Sequence, residues 1–254
     1  MKSAAPAISR TSPSADLPLA PVVRCVSALE GHELWAATYD QAPNPMLALE
    51  ERTLESMLPV LPGKVVLDIA CGTGRWLRKL RQRGARVSLG MDLSYAMLRQ
   101  ATNGGELEGM LVRGDACALP YRSDIADLVV SSFAVGYVDD LRAFAGELAR
   151  VVRPGGEVFI SDFHPSNHSR GWRRSFRSGE EVMEILSFAR PVAQICEAFE
   201  AHGLRLETCI EACFDEPERA LFDRSGKGDF FETARSEPAI FVCRFRRQPK
   251  EPSL

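Results

Sequence analysis

Val65-Val66-Leu67-Asp68-Ile69-Ala70-Cys71-Gly72-Thr73-Gly74 decides the fold of this 254-residue chain. The first half, Val65 to Ile69, is a short apolar run holding one carboxylate, fit for a strand buried on both faces. The second half is glycine punctuation at the entry of a helix predicted from about Thr73 to Arg83 and closed by Gly84. Glycines at such a turn let the backbone approach a ligand, and helix N-terminal amides offer donors to anionic groups. A ligand of this unit lies beyond the carboxyl ends of the strands, where strand order reverses.

Outward from this unit the alternation continues. Strands are predicted at Arg86–Met91, Gly109–Arg113, Asp127–Phe133 and Glu157–Ser161, with helices at Tyr95–Thr102 and Asp140–Val151 between them. Upstream, Glu33–Tyr39 and Pro45–Leu58 read as helices. Pro45 suits a first helical turn, and Pro59 and Pro62-Gly63 stop the second helix. Residues 162–190 read as less regular. Pro191–His202 is helical, and Leu204–Phe214 and Ala239–Phe245 are late strands. Strands separated by helices imply right-handed crossovers and an α/β, doubly wound, mostly parallel sheet covered on both faces.

Composition narrows the class. Lys plus Arg total 31 against 34 Asp plus Glu, a net charge of −3, with 45% hydrophobic and 26% charged residues. This mixture excludes chain-wide disorder and a histone-like polycation. No run of about 18 apolar residues is present to span a membrane. The seven cysteines are scattered without a C-x-x-C pair, which argues against a disulfide framework or a zinc site. Small apolar fillers and a cytoplasmic compartment are expected instead, with no metal. Residues 1–20, rich in Ala, Ser and Pro and without a secretory apolar run, read as a flexible tail, and 21–254 as a single domain.

Three acidic strand tips carry the chemistry. Asp68 precedes the glycines, where it would repel a pyrophosphate but stabilise an ammonium group. Asp92, 24 residues on, ends the second strand of the alternation, where a carboxylate can accept from both ribose hydroxyls. Asp115 follows the third, where a carboxylate and adjacent backbone can read an adenine edge. Taken singly, Asp92 could be an N-cap and Asp115 an Asx turn. Together the three imply a ligand with an amine, a ribose and an adenine but no required phosphate, a description that S-adenosylmethionine fits.

The string Val66–Gly74 resembles the first motif of class I S-adenosylmethionine-dependent methyltransferases. Met91-Asp92-Leu93-Ser94, Gly114-Asp115-Ala116, Asp127–Ser132 and Val152-Arg153-Pro154-Gly155-Gly156-Glu157 resemble its later motifs in order. Within that family the chain is most similar to the ubiquinone- and biotin-type small-molecule enzymes. The resemblance implies a seven-stranded sheet whose last strand, here Ala239–Phe245, is antiparallel. It also implies an N-terminal helical lid at 30–60 and a substrate-side insert at 163–190. By the same resemblance Asp68, Ala70, Gly72 and Gly74 would surround the methionine portion of the cofactor. Asp92 would hold the ribose, Leu93 would pack on the adenine, and Asp115 and Ala116 would meet its edge. Ser132 would lie beneath the cofactor, and Tyr39 would close over the methionine end. A His common in relatives after the fourth strand is Tyr137 here.

The implied activity is methyl transfer to a small-molecule acceptor, with acidic and aromatic metabolites as the candidates. A base is needed only where the acceptor holds its proton until late. Tyr137 and His164 are the candidates, with His168 and His202 behind them. The stretch Arg170–Arg177 carries four Arg and no acid, reading as a solvated basic loop or an anion hold. The run Arg75, Arg78, Lys79, Arg81, Arg83 and Arg86 reads mostly as a solvated helix face. An RNA methyltransferase would use both runs as an electrostatic footprint. The acidic balance and the lack of an appended RNA-binding module argue against that reading. A nicotinamide oxidoreductase is disfavoured by Asp68 and by Leu77, which replaces the third glycine of a dinucleotide fingerprint.

Overall fold

The computed structural model describes residues 22–249, so the tail read at 1–20 lies outside the described residues. In chain order it comprises β1 (Val23–Val26), α1 (Ala28–Trp35), α2 (Pro45–Met57), β2 (Val65–Ile69), α3 (Arg75–Gln82), β3 (Val87–Asp92), α4 (Tyr95–Ala101), β4 (Leu111–Arg113) and β5 (Ala126–Ser132). There follow α5 (Leu141–Val151), β6 (Val152–Phe163), α6 (Ser166–Ser169), β7 (Ser175–Ser178), β8 (Glu181–Ile185) and α7 (Val192–Glu200). The described chain ends with β9 (Leu204–Ala212), α8 (Glu216–Arg224), α9 (Phe231–Ala234) and β10 (Ile240–Arg247).

Seven strands form one sheet in the order β4-β3-β2-β5-β6-β10-β9. Pairing is parallel from β4 through β6, and β10 runs antiparallel to both β6 and β9, as the family resemblance implies. Strand order reverses between β2 and β5, so the carboxyl end of β2 opens onto the crevice. Alternate residues of each central strand feed two cores. Leu67, Ile69, Val129, Val158, Ile160, Phe241 and Phe245 pack with α5 and α7 on one face. Val66, Leu128, Val130, Phe159, Ile240 and Val242 pack with α2, α3, α8 and α9 on the other. The period of two, with both faces covered, is why these strands read as continuous apolar runs.

Three expectations change. The first helix begins at Ala28 rather than Glu33, because Ser27 Oγ caps it by accepting from the Glu30 N–H at 3.2 Å, and the chain turns after Trp35. The strand predicted as Glu157–Ser161 extends to Val152–Phe163, with Arg153–Gly156 bulged out between the Ala126–Val152 and Leu128–Glu157 pairs. Residues 162–190 are not irregular. They form α6 and the antiparallel pair β7–β8, and β8 takes β1 as a parallel partner to make a second, three-stranded sheet. A small core of Val26, Phe176, Met183 and Ile185 fills it, with Trp35 and Tyr137 packed against them.

Candidate active site at the carboxyl ends of the parallel strands

The backbone departs from ordinary geometry where β2 and β5 end. Ala70, after β2, has φ 59° and Phe133, after β5, has φ 53°, conformations that L residues rarely adopt and that concentrate at functional sites. Gly72 follows at φ 54°, and a Cβ built on it would meet nothing within 4 Å, so this turn faces open space. Gly74 differs: its absent Cβ would lie 2.4 Å from Leu107 Cδ1, so this glycine lets α3 approach the chain after α4 and faces no ligand space. The sequence reading placed both among the cofactor-facing residues.

Asp68 is buried at the end of β2, and its Oδ2 has no hydrogen-bond partner. Burial pushes its carboxyl up to about 7, opposed by the nearby Arg75 guanidinium. Arg75 opens α3 and is itself largely buried. Its Nη2 donates to Glu50 Oε2 at 2.7 Å and to Ser132 Oγ at 3.1 Å. Its Nη1 makes no hydrogen bond, although Glu51 lies 3.5 Å away. Glu50, fully buried on α2, also accepts from Trp76 Nε1 at 3.0 Å and from Ser161 Oγ at 2.7 Å. A buried carboxylate is tolerable only with this degree of pairing. The network fixes Arg75 and Ser132 beneath the crevice. The basic run on α3 is therefore not simply a solvated face, since its first member is drawn inward by Glu50.

Asp92 ends β3 and is half-buried. Its Oδ2 accepts from the Gly72 N–H at 2.7 Å and its Oδ1 from the Ser94 N–H at 2.8 Å, so the glycine turn and the second acidic tip are joined directly. Burial raises its carboxyl above the ordinary range against those two donors and His32. Leu93 beside it is exposed. Asp115 is exposed and forms the Asx turn, its Oδ1 accepting from the Cys117 N–H at 2.8 Å, with Ala116 half-buried next to it.

The N-terminal segment reaches the same place. Thr73 Oγ1 donates to Asp40 Oδ1 at 3.1 Å, tying the Tyr39-Asp40 turn to the glycine loop. The Tyr39 ring meets Trp35 edge-on at 4.7 Å, and Trp35 stacks on Phe176 at 4.9 Å. Burial raises the phenols of both Tyr39 and Tyr137. Tyr137 meets the imidazole of His32 edge-on at 4.9 Å, and the Arg174 guanidinium lies 4.5 Å from the centre of the Tyr137 ring.

Sequence reasoning passed over His32, the one histidine the structure brings to this cluster. Its Nδ1 is 2.7 Å from the Ala28 carbonyl, which can only accept, so Nδ1 carries the hydrogen and Nε2 is an acceptor. Burial lowers its pKa, with Asp92 opposing and Arg174 reinforcing that shift. The i, i+4 relation of Ala28 and His32 on one helix face was the available signal.

His164 is placed elsewhere. Its Nδ1 lies 2.7 Å from Ser166 Oγ and its Nε2 3.5 Å from Glu211 Oε2, on the β9–β10 side of the sheet. His168 is exposed, with its carbonyl accepting from Arg173. His202 packs against Gly146 near Asp124 and Arg247, at the opposite end of β5. Nor is the Arg170–Arg177 stretch a solvated loop. Arg174 forms a buried ion pair with Asp162, whose Oδ2 also accepts from the Gly136 N–H at 2.6 Å. Arg170 donates to Asn167 and to the Pro238 carbonyl, and Arg173 lies 3.6 Å from Glu184. Arg177 keeps to the surface. Among the described residues no helix is long and apolar enough to cross a membrane.

The description "Methyltransferase domain" matches residues 67–160, from β2 through β6. The chain is 38% identical over 126 residues to malonyl-[acyl-carrier protein] O-methyltransferase of Salmonella typhimurium, covering 48% of each. It is 36% identical over 119 residues to demethylmenaquinone methyltransferase of Thermobifida fusca, covering 43% of this chain and 50% of that one. These matches span about half the length of each relative. A solved S-adenosylmethionine dependent methyltransferase from Mesorhizobium loti aligns at TM-score 0.64 and 24% identity, covering 80% of this chain and all of that one, which speaks to the fold. The sheet order, the glycine turn hydrogen-bonded to Asp92 and the match agree, and residues 67–160 are similar to a methyltransferase domain on the fold seen in S-adenosylmethionine-dependent methyltransferases.

Proposed function

We propose that this chain transfers the methyl group of S-adenosylmethionine to a small-molecule acceptor, as a single cytoplasmic domain roofed by α1 and the 163–190 insert. One observation carries the reading: two buried polar atoms of opposite character that make no hydrogen bond, Asp68 Oδ2 and Arg75 Nη1, the latter 3.5 Å from Glu51, flank the open glycine turn. An amino acid's ammonium and carboxylate are the complement of such a pair. Asp68 takes the ammonium, Arg75 the carboxylate, and Asp92, with its remaining lone pairs, the ribose. Ser132, Ala70 and Gly72 shape the floor, Leu93, Asp115 and Ala116 lie along the adenine, and Tyr39 covers the methionine end.

When bound, S-adenosylmethionine supplies an already activated methyl group on a sulfonium. The protein's work is then to align an acceptor and exclude water, which is worth roughly 7–11 kcal/mol of barrier. The acceptor side offers Tyr137, Phe133 and Phe163, with Arg174 neutralised by Asp162. Those rings favour an aromatic acceptor over an anion, and Tyr137 is the side chain we assign to it. His164, held by Ser166 and Glu211, is assigned to ordering its own turn. The RNA reading loses its footprint, because most of the arginines it needs are paired within the protein.

Calorimetry with S-adenosylhomocysteine and 5′-methylthioadenosine, which lacks the amino-acid portion, tests this assignment. The chain should bind the first more tightly. Arg75→Lys keeps the Glu50 pair but removes the forked donor. It should weaken the first ligand by about 10-fold or more, leaving the second unchanged. Failure to bind either ligand would overturn the methyltransferase reading, and equal losses for both would overturn the role of Arg75.

A further inference from the structure

Cys196, Cys209 and Cys243 converge on the face of the sheet away from the glycine turn's packing partners. Cys209 on β9 and Cys243 on β10 are direct partners in the antiparallel register, and Cys196 on α7 lies across them in the same core. Directly opposed antiparallel residues have Cα atoms about 4.5–5.5 Å apart. That range falls inside the roughly 4.4–6.8 Å that a disulfide spans. Cys243 is fully buried, whereas Cys209 is half-buried and offers the route from solvent. None of the three takes part in the site described above.

We propose that this trio is an oxidation site, at which a peroxide converts Cys209 and Cys243 into a cross-strand disulfide. Cys209, the member of the pair nearer solvent, loses its proton to water, and its sulfur attacks the peroxide, whose O–O bond breaks to leave a sulfenic acid; the departing hydroxide takes that proton back as water. The Cys243 sulfur then attacks the Cys209 sulfur. The S–O bond breaks, and the departing hydroxide takes the Cys243 proton as a second water. Two thiols and one hydrogen peroxide thus give one disulfide and two waters. The product joins β9 to β10 at the sheet edge, and Cys196 is left as a free thiol positioned to reopen the bond by exchange.

The test treats the full chain with hydrogen peroxide, blocks remaining thiols under denaturing conditions and maps peptides by mass spectrometry. Two of the seven thiols should become resistant to alkylation, with a peptide linking Cys209 to Cys243 that dithiothreitol reverses. Cys243→Ala should abolish that link and leave Cys209 as a sulfenic acid that dimedone traps. Seven alkylatable thiols after treatment would overturn the proposal, as would a link that uses exposed Cys25 or Cys213 in place of this pair. Loss of two alkylatable thiols in Cys243→Ala, through a Cys196–Cys209 link, would overturn the partner assignment.

Discussion

Replacing Asp68 by Asn should stabilise the ligand-free protein at pH 8 while destroying its response to S-adenosylhomocysteine. The folded-state pKa of about 7 lies above the ordinary 3.8. A carboxyl raised in this way contributes stability that is fully present below the unfolded value and is lost as pH rises through the folded one. By pH 8 the buried ionised group costs about 4 kcal/mol relative to the unfolded chain, at about 1.36 kcal/mol for each unit of the difference. An amide avoids that cost. It also sets an N–H group where Oδ2 has no partner, which returns about 1–3 kcal/mol. The net gain is about 1–3 kcal/mol, roughly 2–10 °C in midpoint for a chain of this size. At pH 5 the gain should vanish or reverse, because there the folded carboxyl is protonated.

Ligand binding gives the opposite sign. An ammonium group favours ionised Asp68, so at pH 6 binding should expel a proton, visible as a buffer-dependent enthalpy in calorimetry. Asp68→Asn should bind without that proton and far more weakly. A variant less stable than the parent at pH 8, together with proton-independent binding by the parent, would refute both the buried charge and its assigned partner.

The two glycines of the loop should separate cleanly. Gly74→Ala pushes a Cβ into Leu107 and should cost about 1–3 kcal/mol in urea unfolding, whereas Gly72→Ala should cost less yet abolish S-adenosylhomocysteine binding. Equal stability losses would contradict the different spaces the two positions face. Arg174→Met strands Asp162 and should destabilise by about 3–5 kcal/mol, while adding Asp162→Asn should recover much of the loss. Urea midpoints for the two variants and the parent decide it, and no recovery in the double variant would mean that the pair is not the source of the loss.

What could be read from the chain was whatever a local pattern encodes. Val65–Ile69 was placed to the residue because an apolar run between Pro62-Gly63 and Gly72 has few alternatives, and the acidic tips follow from strand ends. The second sheet was missed because Val23–Val26 alternates poorly and finds its partner in Val182–Ile185, far along the chain. Glu216–Arg224 was passed over although Asp215 and Glu218 form a capping box with Pro217 in the first turn, a signal that is local and was available. Glu50 drew no reading from the sequence, since only tertiary packing brings Arg75, Trp76 and Ser161 to it. His32 sat in a segment whose helix start was misplaced, which hid its face. His164 had the right position in sequence, but partners from β9 and its own turn claim both ring nitrogens.

The pairing of β1 with β8 matters for anyone recombining this chain with a relative. The second sheet is one object assembled from two distant stretches, joined by a ladder and by the Trp35–Phe176 stack. A chimera that imports 163–190 but keeps 22–40 would confront Val23–Val26 with foreign register partners and Trp35 with a foreign ring or none. Acceptor preference in such exchanges should therefore travel only when both stretches are transplanted together, as a split cassette.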